Sequence, residues 1–366
     1  MVKRIKHTAY WLAFVANIIA ILAMFLVGNV DRLHPSEHPW LSCLGLIFPV
    51  LLVINLLFLL FWVCVRFRTI WLPVLGLLIC YVPIRKYTPF NITKEHPARA
   101  IKVLSYNVYM FSPWDLEDLS NNPIVKYIQQ SNADIVCLQE TNVSEAGGRN
   151  VYEALVSKYP YYHILHAHSS GNQHMMVLSK FPIKKKEQIK YQSVGNITMA
   201  YILDYNGTDV LLVNNHLESN HLSSEDKAEY KRMVESPFKG NKTKDRSERL
   251  LDKLGTAAKI RAQQVEIVAK YVKTYLDKKI PVILCGDFND SPISYARRTI
   301  SEGLTDCYVA SGNGPGISYH QSGMYVRIDN IFCSDDFVPY GAKVDDKITN
   351  SDHYPIYVWL KYRPKP

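Results

Sequence analysis

The sequence predicts an α/β domain built from two mixed β-sheets with outer helices, preceded by an N-terminal transmembrane helical segment. Three observations predict this. Seven short apolar runs beyond residue 100 each end in polar residues, as buried strands do: VLSYN ending at Asn107, IVCLQE at Glu140, MMVLS at Ser179, LLVNNH at His216, VILCGDFN at Asn289, RIDN at Asn330 and SDHYP at Pro355. Hairpin signals alternate with helical ones, which implies mixed rather than purely parallel sheets. Apolar residues are concentrated before about Ile84, and the rest reads as a soluble protein.

Residues 10–30 form a nearly uncharged stretch long enough to cross a bilayer as a helix, and residues 40–65 form a second. Residues 70–84 form a third, shorter one that contains Pro73 and Pro83. About three transmembrane helices within residues 1–86 are therefore expected. The first is too long for the apolar region of a signal peptide, and further spans follow it. Lys3, Arg4 and Lys6 before the first span, and Arg66 and Arg68 after the second, belong inside. Three crossings put the following domain outside. If the third segment only dips into the interface, the domain is cytoplasmic. No charge sits in the span cores, so this part reads as an anchor, not a conduit.

Residues 87–99 form a polar, proline-bearing linker, and residues 100–366 a globular domain. Strands are expected at 101–106, 135–139, 175–179, 199–205, 210–214, 281–285, 327–333 and 354–360. Asn206-Gly207 makes a hairpin turn between two of them. Helices are expected at 123–130, capped by Asn122 with Pro123 in the first turn, at 151–158, and at 261–276 with Val265, Val268, Val272 and Leu276 on one face. The charged stretch 217–250 reads either as a cap on the site or as a solvated excursion.

The formal charge of +9 suits contact with anionic lipid or nucleic acid, although the basic clusters at 184–186 and 239–246 read first as solvated surface. No aromatic-rich basic stripe of the kind that binds single strands is present. The seven cysteines contain no CxxC pair, which argues against zinc and thioredoxin-like sites; a Cys307–Cys333 disulfide is open, with free thiols the default.

The chemistry lies at the strand ends. In an open α/β sheet the active groups gather at one rim. Here that rim is rich in Asn, Glu, His and Asp, an oxygen-rich set suited to a hard cation such as Mg²⁺. Asp287 and Asn289 stand two apart and face one way in extended chain, so both reach one water or phosphate oxygen. Asp352 can hold a metal or orient an imidazole. His353 can hydrogen-bond a phosphoryl oxygen or move a proton, and His216 supplies a second imidazole. Asp329, flanked by apolar residues, needs a partner, for which His353 is a candidate. No HExxH spacing occurs, which ranks zinc lower.

In this order, SYN at Asn107, LQET at Glu140, NHL at His216, GDFN at Asp287 and Asn289, RID at Asp329 and SDH at Asp352 and His353 resemble the endonuclease/exonuclease/phosphatase superfamily, which includes DNase I-like nucleases, neutral sphingomyelinases and inositol polyphosphate 5-phosphatases. MVLSKFPI at 176–183 resembles its central strand and turn. The resemblance implies a four-layer α/β sandwich and Mg²⁺-dependent phosphoester hydrolysis, with Mn²⁺ an alternative ion. It implies that Glu140 binds metal with Asn107 beside it and that Asp352 completes the acidic cluster. Asp287 would orient or deprotonate water, and Asn289 would hold a phosphate oxygen. His216 and His353 would stabilise the phosphoryl group or protonate the leaving oxygen, and Asp329 would orient His353. Tyr109 stands where abasic-site endonucleases carry Asp, so the pattern sits nearer the DNase I and sphingomyelinase branches.

The leading expectation is a membrane-anchored phosphodiesterase, nuclease or phospholipase-like enzyme in a bacterial inner or plasma membrane, with its catalytic domain on the periplasmic side. Its partners would be the bilayer and a phosphate ester, either nucleic acid or a phospholipid head group; no obligate protein partner is inferred. The alternative is a catalytically inactive binding module tethered to the membrane. A purely structural membrane protein leaves the polar strand ends unexplained.

Overall fold

The computed structural model describes residues 2–112, 121–142, 145–165, 174–235, 243–321 and 323–363. The apolar N-terminal region is helical: α1 (Val2–Gly28), α2 (Pro39–Ser42), α3 (Phe48–Val65), α4 (Trp71–Ile79) and α5 (Tyr81–Tyr87). Among the described residues, two helical stretches, Arg4–Arg32 and Pro39–Val65, are long and apolar enough to cross a membrane. The α4–α5 pair is bent by 65°. Pro83 explains the break, because it cannot donate to the carbonyl four residues back and its ring collides with it.

These helices pack as a bundle. Trp71 meets Phe14, the Cα of Gly76 lies against Ile21, and Gly28 lies against Pro83, so α4–α5 runs alongside α1 in the same direction. The α3 helix runs the other way, with Trp62 against Tyr10. Two polar side chains are buried between helices: Asn17 accepts from Trp62 Nε1 at 3.0 Å, and Asn55 donates to Ala20 O at 3.2 Å. Polar groups turned into a bundle leave its outer face apolar, which suits a lipid surround.

After an irregular segment comes β1 (Ile101–Asn107), followed by α6 (Pro123–Gln130), β2 (Ile135–Gln139), α7 (Glu145–Val156), β3 (Tyr161–Leu165), β4 (Met175–Ser179), β5 (Ile183–Ile189), β6 (Thr198–Tyr205) and β7 (Thr208–His216). Then follow α8 (Ser224–Glu235), α9 (Thr243–Asp277), β8 (Val282–Asp287), α10 (Tyr295–Ile300), β9 (Thr305–Asp306), α11 (Cys307–Ser311), β10 (Asp329–Cys333), β11 (Phe337–Val344) and β12 (Ile356–Tyr362). The Asn122 side chain caps α6 by accepting from the amides of Ile124 and Val125. Asn206 and Gly207 both take positive φ in the β6–β7 turn, as a tight hairpin requires.

Among the described residues the strands form two six-stranded mixed sheets, ordered β11-β12-β1-β2-β4-β3 and β5-β6-β7-β8-β10-β9. Val103, Cys137, Leu212, Cys285 and Val358 share one buried core between the sheets. Ile124, Val125 and Ile128 of α6 cover the outer face of the first sheet. Val265, Val268 and Val272 of α9 cover that of the second. The layers are thus helix, sheet, sheet, helix: an α/β sandwich, as expected. The two sheets repeat one pattern: a central parallel pair, β1 with β2 or β7 with β8, flanked by antiparallel strands. No internal repeat is visible in the sequence, because only the backbone pattern recurs.

Several elements differ from expectation. The four strands that sequence reading missed, β3, β5, β9 and β11, are the four sheet edges. Helix α9 begins well before residue 261, and α8 precedes it, so much of the charged stretch 217–250 is helical. Helix α7 begins before residue 151. Cys307 and Cys333 are buried free thiols with their sulfurs 3.6 Å apart.

Candidate active site

The site grows from the carboxyl ends of the two central parallel pairs. Asn107 ends β1 and Glu140 follows β2; His216 ends β7 and Asp287 ends β8, the latter two directly opposite each other in register. Parallel strands deliver their ends to the same side, so two such pairs packed face to face bring four polar residues together. Gly286 makes the β7–β8 approach possible: any Cβ there would lie 1.9 Å from the Asn215 carbonyl oxygen. Antiparallel β10 adds Asp329 opposite Asp287.

Asn107 links the two sheets at this rim. Its Nδ2 donates to Glu140 Oε1 at 3.1 Å and to Asp287 Oδ2 at 3.2 Å. Ser351 Oγ donates to the Asn107 carbonyl at 2.7 Å and accepts from His353 N at 3.1 Å, fastening the SerAspHis segment to β1. His353 Nδ1 donates to Asp329 Oδ2 at 2.8 Å, which leaves Nε2 turned to Asp287 Oδ2 at 3.6 Å. Asp287 Oδ1 accepts from Asn289 N at 2.8 Å, and Asn289 Nδ2 donates to Leu217 O. Glu140 and Asn289 both hold left-handed φ values, +53° and +52°. Such strain persists only where surrounding contacts impose it, and it clusters at functional sites.

The electrostatics are those of a site short of positive charge. Burial pushes the Asp287 carboxyl well above the usual carboxylate range; the nearby His353 opposes this and Asp329 adds to it. Burial also raises Glu140, against the hydrogen bond from Asn107. His216 is fully buried, and neither ring nitrogen has a hydrogen-bond partner among the described residues. Its Nε2 stands 3.6 Å from Glu140 and 3.7 Å from Asp287, beyond bonding reach. Burial, with the His353 charge, holds this imidazole down to about 3. For His353, burial favours the neutral ring, but Asp329 and then Asp287 outweigh it and lift it well above the ordinary histidine range.

These donors fit a hard divalent cation. They are carboxylate oxygens with an unpartnered imidazole, and extra positive charge would relieve two carboxyls raised by burial. Asp287, Asp329 and His353 also offer ligand atoms within 4.8 Å of one another. His353 Nδ1 is already bonded to Asp329 Oδ2, so this trio reads better as an oriented imidazole. Asp352 lines the same cavity.

Sequence reading missed Lys227 and Tyr319. Lys227, on α8, lies 5.6 Å from the Tyr319 ring centroid and lines the cavity with it. Burial lowers the Lys227 ammonium, but Tyr319 and Asp352 outweigh it and raise the pKa. Nothing marked this lysine out, since it sits in a charged stretch that also carries Lys231, Lys239, Lys242 and Lys244. Tyr230, Leu250 and Leu254 line the cavity too, so α8 and the first half of α9 cap it.

Known proteins give this geometry its context. Residues 104–353 match the family model described as Endonuclease/Exonuclease/phosphatase family, and residues 10–87 match a domain of unknown function, DUF8431. No curated protein matches the chain. The catalytic domain of human Nocturnin, solved with bound sulfate, aligns with TM-score 0.52 at 16% identity, covering 74% of this chain and 96% of that one. TDP2 from C. elegans aligns with TM-score 0.51 at 17% identity, covering 73% and 76%. An endonuclease/exonuclease/phosphatase from Beutenbergia cavernae aligns with TM-score 0.51 at 17%, covering 72% of each chain. At such identities the likeness speaks for the fold alone. The family match spans most of the chain, including every strand end described above, and on that ground the chain belongs to the endonuclease/exonuclease/phosphatase family.

Proposed function

We propose that this protein is a membrane-anchored, divalent-metal-dependent hydrolase of phosphate esters. The observation that carries this reading is the meeting of Asn107, Glu140, His216, Asp287 and His353 around under-compensated carboxyls and an unpartnered imidazole. Glu140, Asn107 and Asp352 would hold Mg²⁺ or Mn²⁺. When bound, the ion supplies positive charge against the phosphoryl group.

The chain's own groups divide the remaining work. Asp287 takes a proton from the attacking water; its raised pKa suits a base working near neutrality. Asn289 spends one amide hydrogen on Leu217 O and keeps one for a phosphate oxygen. His353, held protonated by Asp329, donates from Nε2 to the leaving oxygen. His216 lends a neutral N–H to a non-bridging oxygen. An inactive tethered module would be expected to lack some of these partners.

The test is a substrate screen of the full chain in detergent with Mg²⁺ or Mn²⁺, against EDTA, over DNA, RNA, sphingomyelin, phosphatidylinositides and simple phosphomonoesters. Turnover of at least one, abolished by EDTA, is expected; no turnover of any would refute the reading.

We also infer an integral membrane protein with the catalytic domain outside. Arg66 lies over Tyr10 at the end of the bundle remote from the domain, and an ion pair between Lys86 and Asp31 lies at the near end. An α4–α5 segment running alongside α1 from Phe14 to Gly28 supports a third crossing. Protease added to intact spheroplasts should remove the catalytic domain; full protection would reverse the topology.

A further inference from the structure

The catalytic cavity is not walled by the catalytic domain alone. It has a volume of about 270 Å³ and carries Glu140, Asp287, Asn289, Asp352 and His353. Leu46, just before α3, Pro49, in its first turn, and Tyr87, which ends α5, line it as well. The helical bundle therefore forms part of the site.

Close contacts hold the bundle there. Gly45 touches the loop after Asn289: a Cβ on it would lie 2.1 Å from Ile293 O and 2.9 Å from Ser291 Oγ. Arg327, fully buried, donates to the carbonyls of Lys86 and Tyr87 at the end of α5, and to Pro315 O at 2.9 Å. Trp40 Nε1 donates to Asp252 Oδ1 of α9 at 2.9 Å, and His34 pairs with Glu266 at 2.9 Å.

The apolar wall also continues outward. Ile47 and Val50, beside Leu46 and Pro49 in the chain, are 45% and 60% exposed, and Val53 and Leu57 extend the exposed apolar face along α3. An apolar surface of this extent on a spanning helix belongs against hydrocarbon. The stretch of the bundle that lines the phosphate-handling site thus also carries the exposed apolar face of the anchor. A nucleic acid would instead need a spread of cations along its backbone. Of the described residues lining the cavity, only Lys227 and Arg261 are Lys or Arg, and Arg261 is committed to Asp290. Lys184 and Lys185, on the edge strand β5, are paired with Asp204, Asp209 and Glu187.

We propose that the substrate is a phosphate-ester lipid drawn from the same bilayer, its phosphate among Glu140, Asp287 and His353 and its apolar portion along Leu46 and Pro49. This rests on the hydrolase reading above and narrows its substrate. Water oxygen bonds to phosphorus, the ester P–O bond to the alcohol breaks, and the leaving oxygen takes a proton. Phospholipids and isoprenyl phosphates share this chemistry, and the test separates them.

The full chain is placed in phosphatidylcholine nanodiscs doped in turn with sphingomyelin, phosphatidylinositol, phosphatidylglycerol or an isoprenyl phosphate. DNA and RNA oligonucleotides and bis(p-nitrophenyl) phosphate are compared under the same conditions. One lipid should be cleaved with higher kcat/KM than any oligonucleotide. Gly45→Val, which pushes the bundle wall off the domain, should lower that lipid turnover about a hundredfold and spare the small diester. Preference for an oligonucleotide over every lipid overturns the lipid assignment and leaves the hydrolase reading standing. Loss of nothing on lipid in Gly45→Val overturns the role of the wall. No turnover of any ester, the small diester included, overturns both readings. If Gly45→Val does not fold, the wild-type comparison decides alone.

Discussion

Asp287→Ala is expected to lower kcat/KM for a phosphodiester by about 10⁴-fold while leaving the far-UV circular dichroism unchanged. The carboxylate joins the two sheets' contributions to the site: it accepts from Asn107 of the first sheet and from Asn289, just beyond its own strand in the second. The same variant should not lower the apparent Tm measured in EDTA. A carboxyl whose folded-state pKa is raised by burial opposes folding at neutral pH, because the charged form is the less stable one inside. Activity lost without stability lost marks a residue kept for chemistry. A variant that retains turnover, or one that unfolds, would contradict the assignment.

His353→Ala should cost about 10²–10³-fold, the range for a lost general acid. Asp329→Asn is the more informative partner. Burial pulls the His353 pKa down, and the Asp329 carboxylate is the largest influence pulling it up. A histidine with a raised pKa is in its working, protonated form below that pKa and loses it as pH rises through it. Removing Asp329 lowers the pKa, so the alkaline limb of the pH–rate profile should move to lower pH, with activity recovered on acidification. An unmoved limb would mean that Asp329 only packs against the ring.

The readable parts of this chain were the strands paired along both edges. Each strand expected from an apolar run lies inside a sheet. The edges were silent for physical reasons. The β5 strand reads IKKKEQI, because an outer strand tolerates lysines that discourage further pairing; β11 carries Pro339 and a register shift; β9 has only two residues. The first half of α9 was also hidden. Its charged residues look solvated, yet Leu250 and Leu254 are buried where it caps the site and Trp40 reaches Asp252. At the site, residue types at strand ends suggested a cation-binding rim, but nothing local placed Lys227 beside Tyr319. Nor could the chain alone reveal that Gly45, some 240 residues from Asn289 in sequence order, would touch its loop.

The proposed hydrolysis requires a metal ion and a water molecule acting at the strand-end cluster. The direct measurement is turnover of bis(p-nitrophenyl) phosphate by the full chain in ¹⁸O-enriched water, with EDTA and then with Mg²⁺ restored. No turnover in EDTA, recovery with Mg²⁺, and heavy oxygen in the phosphate product are expected. Turnover that persists in EDTA, or label in the released alcohol, would contradict the proposal.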